Sequence, residues 1–181
     1  MTGGLSLDPV ILLVQPFIRD FYLTSKRTVP YGLLSIAASV MKAGYRVELF
    51  DALGTGKSRF EKLPSELAYL RRFYGKPDIS PFALFHKFKR YGYSIGHLQK
   101  AARESKAALV GVSSLFTAYS DEAMEAAAAI KKVLPECILV MGGHHPTEFP
   151  EKVMECSAVD FLIRGEGEES LPLLIEQLRG N

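Results

Sequence analysis

Ile138-Leu-Val-Met-Gly-Gly-His-His-Pro-Thr147 reads as a short strand running directly into two glycines. Four consecutive apolar residues bounded by a turn signal suit a strand buried on both faces. Upstream, Ala107 to Val112 is a second such run, ending at Ser113-Ser114. Between the two lies Ser120 to Val133, an alanine-rich helical stretch. Ser120 is a candidate N-cap, and Asp121 and Glu122 suit the positive end of the helix. Downstream, Phe149 to Cys156 reads as a short helix, Val159 to Ile163 as a strand and Gly167 to Arg179 as the last helix. The same grammar opens the chain. Val10-Ile-Leu-Leu-Val14 is a strand ending at Gln15-Pro16, and residues 16–29 read as a long connecting loop. Pro30 begins a helix with apolar residues at 33, 34, 36, 37, 40 and 41, Gly44 ends it, and Tyr45 to Phe50 alternates as the second strand. Strands alternating with helices predict a doubly wound α/β fold, a parallel sheet covered by helices on both faces.

Residues 57–96 interrupt this alternation. The stretch is rich in aromatic and basic residues, and Ser65–Phe73 and Pro81–Tyr91 have the composition of short helices. It reads as a helical insertion between the second strand and the crossover helix His97 to Lys106, because it is too small for a core of its own.

Composition bounds the function. The chain has 181 residues, 48% of them hydrophobic and 23% charged, enough for one domain with a core. A net charge of +2 is too small to argue for nucleic acid. No apolar run is long enough to span a bilayer, and the N-terminus lacks the order of a signal peptide, so a cytoplasmic location is expected. Cys137 and Cys156 fit a reducing compartment, and two thiols do not make a four-cysteine cluster site.

In an open parallel sheet, ligands sit at the carboxyl ends of the strands. The loops found there contain Ser113-Ser-Leu-Phe-Thr-Ala-Tyr119, Gly142-Gly-His-His-Pro-Thr147 and Arg164-Gly-Glu-Gly-Glu168. The pair Gly142-Gly143 admits two readings: a turn needing positive φ, or a slot without Cβ atoms where a flat ligand meets backbone. Ser113 and Ser114 either bond a ligand or cap a loop. The 164–168 stretch on its own is a charged helix start with acids facing the dipole. Adjacent His144 and His145 do not converge easily on one ion, and a hydrogen-bonding role suits them better than a metal. His86 and His97 read as surface residues. Gly54-Thr-Gly-Lys-Ser58 resembles part of a phosphate loop, but it follows the wrong strand and its first glycine would fall on Asp51.

Taken in order, Pro30-Tyr-Gly-Leu-Leu34, Ala43-Gly-Tyr-Arg-Val47, Asp51, Tyr91-Gly-Tyr-Ser94, Val110-Gly-Val-Ser-Ser114, Gly142-Gly-His-His-Pro-Thr147 and Val159-Asp-Phe-Leu-Ile-Arg-Gly-Glu-Gly-Glu168 resemble the N-terminal cobalamin-binding domain of cobalamin-dependent radical S-adenosylmethionine enzymes. The resemblance spans nearly the whole chain, so residues 1–181 are expected to form that one domain. It implies a five-stranded parallel sheet of order 2-1-3-4-5, Rossmann- or flavodoxin-like. It also implies that the nucleotide tail of cobalamin inserts along the loops after strands three and four, with Ser113, Ser114, Gly142, Gly143 and Thr147, and also Thr117, as contacts. The loop after strand one has no histidine, which departs from corrinoid proteins that ligate cobalt with one and agrees with the radical subfamily. The Cys-x-x-x-Cys-x-x-Cys motif is absent as well. The resemblance therefore implies a catalytic radical S-adenosylmethionine domain C-terminal to residue 181, holding a [4Fe-4S] cluster and S-adenosylmethionine. This chain would bind cobalamin for that partner, in methyl transfer or a related radical reaction, and would be inactive alone.

Two rivals share the fold. A receiver-like regulatory module needs clustered acids after strand one, and Val14-Gln15-Pro16 supplies none. A dinucleotide enzyme needs G-x-G-x-x-G at the same place, which is also missing.

Overall fold

The computed structural model describes residues 8–21, 29–72 and 88–180. Its centre is a five-stranded sheet built from β1 (Val10–Gln15), β3 (Arg46–Asp51), β6 (Leu109–Ser113), β7 (Ile138–Gly142) and β8 (Phe161–Ile163), in the spatial order β3-β1-β6-β7-β8. Every pairing in it is parallel. This is the expected 2-1-3-4-5 order of a flavodoxin-like sheet.

Parallel strands need crossovers, and the helices provide them on both faces. Helices α1 (Tyr31–Lys42) and α6 (Gly167–Leu178) cover one face, where Leu33, Ala37, Val40, Leu171 and Ile175 meet Ile11, Leu13, Leu109 and Val140. Helices α2 (Ile95–Ser105) and α3 (Ser120–Lys131) cover the other, against Leu12, Val14, Val110, Val112, Leu139 and Met141. The alternation of adjacent strand residues between two cores is the period of two that any strand imposes. The alanines Ala123, Ala126 and Ala127 present little bulk on α3, so that helix lies close against the sheet. Gly44, at φ +93°, turns the chain out of α1 as expected. Helix α3 starts at Ser120, but Tyr119 holds the N-cap position, because a 3₁₀ turn over Thr117–Tyr119 leads into it.

Two expectations about the connections need correction. Residues 16–29 are not all loop: β2 (Ile18–Asp20) follows β1 almost at once. The insertion is not simply helical either. It contains β4 (Ser58–Phe60), a 3₁₀ helix at Ser65–Arg72 and β5 (Lys89–Tyr91), and β2-β5-β4 form a separate antiparallel sheet. Three-residue strands carry too little periodicity to be read from sequence. Residues 81–87 of the second expected helix, and His86, lie outside the described residues.

This small sheet is tied to α3 by charge. Arg19 reaches Glu61 at 2.7 Å and Glu125 at 2.6 Å, with Glu122 at 3.6 Å, and the Tyr119 hydroxyl donates to Asp20 at 2.5 Å. Burial works against the Arg19 charge, but the carboxylates of Glu125 and Glu61 outweigh it and hold the guanidinium protonated. Glu122 is itself buried, which pushes its carboxyl upward while a backbone hydrogen bond and Arg19 pull it back.

Candidate functional site

At the carboxyl ends of the strands, on the α1/α6 face, the fold leaves a cavity of about 250 Å³. Its floor is one row across the sheet. Leu13 is in register with Gly111, and Gly111 with Val140. One pleat nearer the mouth, Ser113 is in register with Gly142, and Gly142 with Ile163. All six residues line the cavity, together with Gly32, Leu33 and Ile36 of α1 and Leu171 of α6. Two positions in these rows have no side chain, with different consequences: Gly142 leaves space open, and Gly111 lets the Leu13 side chain lie across it. A β-carbon on Gly142 would touch Ile163 only at 3.9 Å, ordinary contact, so the space before it is open. A β-carbon on Gly111 would lie 2.8 Å from Leu13 Cδ2, so a side chain there would displace Leu13.

Gly143 is a different kind of glycine. Its φ is +118°, and a β-carbon on it would lie 2.6 Å from the carbonyl oxygen of Ser114. It is required by the turn and by the close approach of two loops, not by an open slot. The two readings left open for the glycine pair thus divide between its members: Gly142 faces free space and Gly143 makes the turn.

Beyond the turn the chain forms α4 (His144–Glu148), a helical turn where the sequence reads as loop, and then α5 (Pro150–Met154). Thr147 locks this region to the next loop. Its hydroxyl donates to the Gly143 carbonyl and accepts from the Gly165 N–H, both at 2.9 Å. The Arg164–Glu168 stretch therefore does more than start a helix. Gly165, Glu166, Gly167 and Glu168 form one side of the cavity mouth.

Of the six expected contacts, Ser113, Gly142, Gly143 and Thr147 line the cavity; Ser114 and Thr117 do not. Ser114 is buried behind the loop, and its backbone oxygen accepts the His145 N–H at 3.2 Å. Thr117 Oγ1 lies 3.3 Å from His145 Nδ1. His145 is 1% exposed and rests against the Phe149 ring, with centroids 5.4 Å apart. Burial, reinforced by Lys152, lowers its pKa against the opposing pull of Asp121, so the ring is held neutral. This is the hydrogen-bonding role expected of it. His144 is exposed and lines the cavity, and His97 is exposed with its Nδ1 2.7 Å from the Ser94 hydroxyl. Among the described residues no group of three or more His, Cys, Asp or Glu side chains is placed to hold a metal ion. Cys137 is buried, which pushes its thiol up to about 11. No described helix is long and apolar enough to cross a membrane.

Sequence reasoning missed the floor. Gly111 carried a usable signal, since a glycine inside a central strand marks a close approach or a ligand. Leu13, Leu33 and Ile36 carried none, because a leucine lining a cavity and a leucine in a core look alike.

Residues 92–175 match the family model of the B12 binding domain. Over 172 residues, 94% of its length, the chain is 28% identical to the cytidylyl-2-hydroxyethylphosphonate methyltransferase of Streptomyces wedmorensis, and it spans 29% of that protein. Among solved structures, the receiver domain of a sensor histidine kinase from Pseudomonas aeruginosa superposes with a TM-score of 0.52 at 10% identity, covering 96% of this chain and 99% of that one. The methanol:cobalamin methyltransferase complex of Methanosarcina barkeri gives 0.50 at 10% identity, covering 96% of this chain and 47% of that one. At such identities these two structures show the shared fold alone. Over residues 92–175 the chain is thus similar in sequence to B12 binding domains, over most of its length it is similar to a methyltransferase, and its fold is the one these solved structures share.

Proposed function

We propose that this chain binds cobalamin through its nucleotide tail and presents it to the catalytic domain of a radical S-adenosylmethionine enzyme. The observation that carries the reading is the cavity at the carboxyl ends of β6 and β7, left open at Gly142 and floored by Leu13 lying over Gly111. At about 250 Å³ it is too small for a whole corrinoid and suits a tail. Ser113, Gly142 and Thr147 would line the tail's path, with Gly143 holding the loop at its side. Ser114 and Thr117 would act behind them, fixing that loop through His145. Cobalamin supplies a cobalt–carbon bond for methyl transfer or related radical chemistry; the protein's part is to hold and orient it.

The methyltransferase relative supports methyl transfer as the reaction. The [4Fe-4S] cluster and S-adenosylmethionine belong, on this reading, to a domain beyond residue 181. Two thiols, one of them buried and held protonated, fit that division.

The test is direct. Hydroxocobalamin is added to the purified chain and unbound ligand removed on a desalting column. Cobalamin absorbance is expected to travel with the protein. A colourless peak from a chain shown to be folded by circular dichroism would refute the reading. Sequencing the gene past codon 181 tests the second half: a three-cysteine cluster motif is expected there.

A further inference from the structure

We propose that the cavity selects the base at the end of the cofactor's tail, accepting a benzimidazole and rejecting a purine, and that Gly111 sets this selection. The inference rests on the reading above, in which a corrinoid tail enters the cavity.

The argument comes from what the floor lacks. Leu13, Gly111 and Val140 make up the floor, and Leu33, Ile36 and Leu171 the walls nearest it. None of these side chains carries a nitrogen or oxygen atom. The three floor residues are paired across neighbouring strands, so the backbone there serves the sheet ladder. Polar groups begin one pleat higher, at Ser113, and the hydroxyl of Thr147 is already committed to Gly143 and Gly165. Glu166 is exposed and Glu168 half-buried, both at the mouth.

The ring edge of the base that lies away from its sugar enters first. In dimethylbenzimidazole that edge carries two methyl groups, which fit an apolar floor. In adenine it carries an amine and ring nitrogens, which would lose water and gain no partner. Discrimination of this kind works by leaving a polar group unsatisfied, and it is stronger than discrimination by size.

Gly111 sets the depth at which this choice is made. A methyl group there would stand 2.8 Å from Leu13 Cδ2. Leu13 would have to turn, and the floor would rise toward the pleat where polar groups begin.

Equilibrium dialysis of the unaltered chain against three corrinoids tests this: cobalamin, its analogue carrying adenine, and cobinamide, which has no nucleotide tail. Free corrinoid is read by absorbance. Cobalamin is expected to bind at least about tenfold more tightly than the adenine analogue, which should approach cobinamide. Gly111→Ala, shown to be folded by circular dichroism, should bring cobalamin down toward cobinamide; a folded variant that keeps the full preference for cobalamin over the adenine analogue would overturn the role of Gly111. Equal affinity for the two tailed corrinoids, both tighter than cobinamide, would overturn the selection and leave the binding reading standing. Cobinamide binding as tightly as cobalamin, or no binding of any of the three, would overturn both.

Discussion

The two faces of the sheet are made by the same strands and end differently. On the α2/α3 face of the three central strands, Leu12, Val14, Val110, Val112, Leu139 and Met141 are at most 2% exposed. On the α1/α6 face the alternate residues begin the same way, with Ile11, Leu109 and Ile138. Toward the carboxyl ends they give way to Gly111, Ser113 and Gly142, and the packing opens into the cavity. In the central strands one face is core along its whole length; the other is core at its base and an open cavity at its top. The strand period of two lets neighbouring residues serve these separate purposes.

The filled face should be the more sensitive to loss. Leu139→Ala, at a position with 0% exposure, should cost about 2–5 kcal/mol, measured by urea denaturation. A loss below about 1 kcal/mol would mean that this face tolerates voids too, and the contrast would fail.

Gly143 tests whether the loop at the cavity's edge is structural. Gly143→Leu puts a side chain at φ +118° and a β-carbon 2.6 Å from the Ser114 carbonyl. The free protein should lose roughly 1–3 kcal/mol of stability, with binding impaired as a consequence. An unchanged melting temperature together with lost binding would restore the slot reading for this residue.

What the sequence made legible follows the same division. The strands and helices of the main sheet could be read because each carries several residues of clear periodicity, as Val10–Val14 and Ile138–Met141 do. The small sheet could not, because Ile18–Asp20, Ser58–Phe60 and Lys89–Tyr91 are three residues each and pair across long separations. At the site, Ser113 and Gly142 stood out as unusual residues after strands, and Thr147 was reached only through the family resemblance. Ser114 and Thr117 looked equivalent to them, since a sequence does not show which way a loop side chain turns. Gly142 and Gly143 were adjacent and identical, and only their backbone angles tell them apart.

A smaller effect is expected from His145. Its pKa in the folded protein lies below the ordinary histidine value because it is buried, with Lys152 adding to the shift. The unfolded chain therefore binds the proton more readily, and stability rises with pH. The contribution is complete above the ordinary histidine range and is lost as pH falls through it, from about 6.5 downward. The melting temperature should drop between about pH 7.5 and 5.5, and His145→Gln should flatten that slope. An identical slope in the variant would show that the ring carries no part of it.

The smallest effect on the free protein should come from Gly142→Leu, and that is what makes it informative. Gly142 has no positive φ, and a β-carbon there meets the protein only at ordinary contact distance. The backbone accepts a side chain without strain, and a leucine would project into a space already walled by Leu33, Ile36 and Ile163. Filling an apolar void is close to neutral or mildly stabilising, so the free melting temperature should change by less than the equivalent of about 0.5 kcal/mol. Cobalamin should raise the melting temperature of the unaltered chain, because a ligand bound only to the folded state stabilises it. In Gly142→Leu that rise should disappear, since the leucine occupies the tail's path. Gly143→Leu and Gly142→Leu would then fail in opposite ways, the first in the free protein and the second only when ligand is added. A full ligand-induced shift in Gly142→Leu would mean that cobalamin does not use the open end of this face, and the cavity would have to be assigned to another ligand.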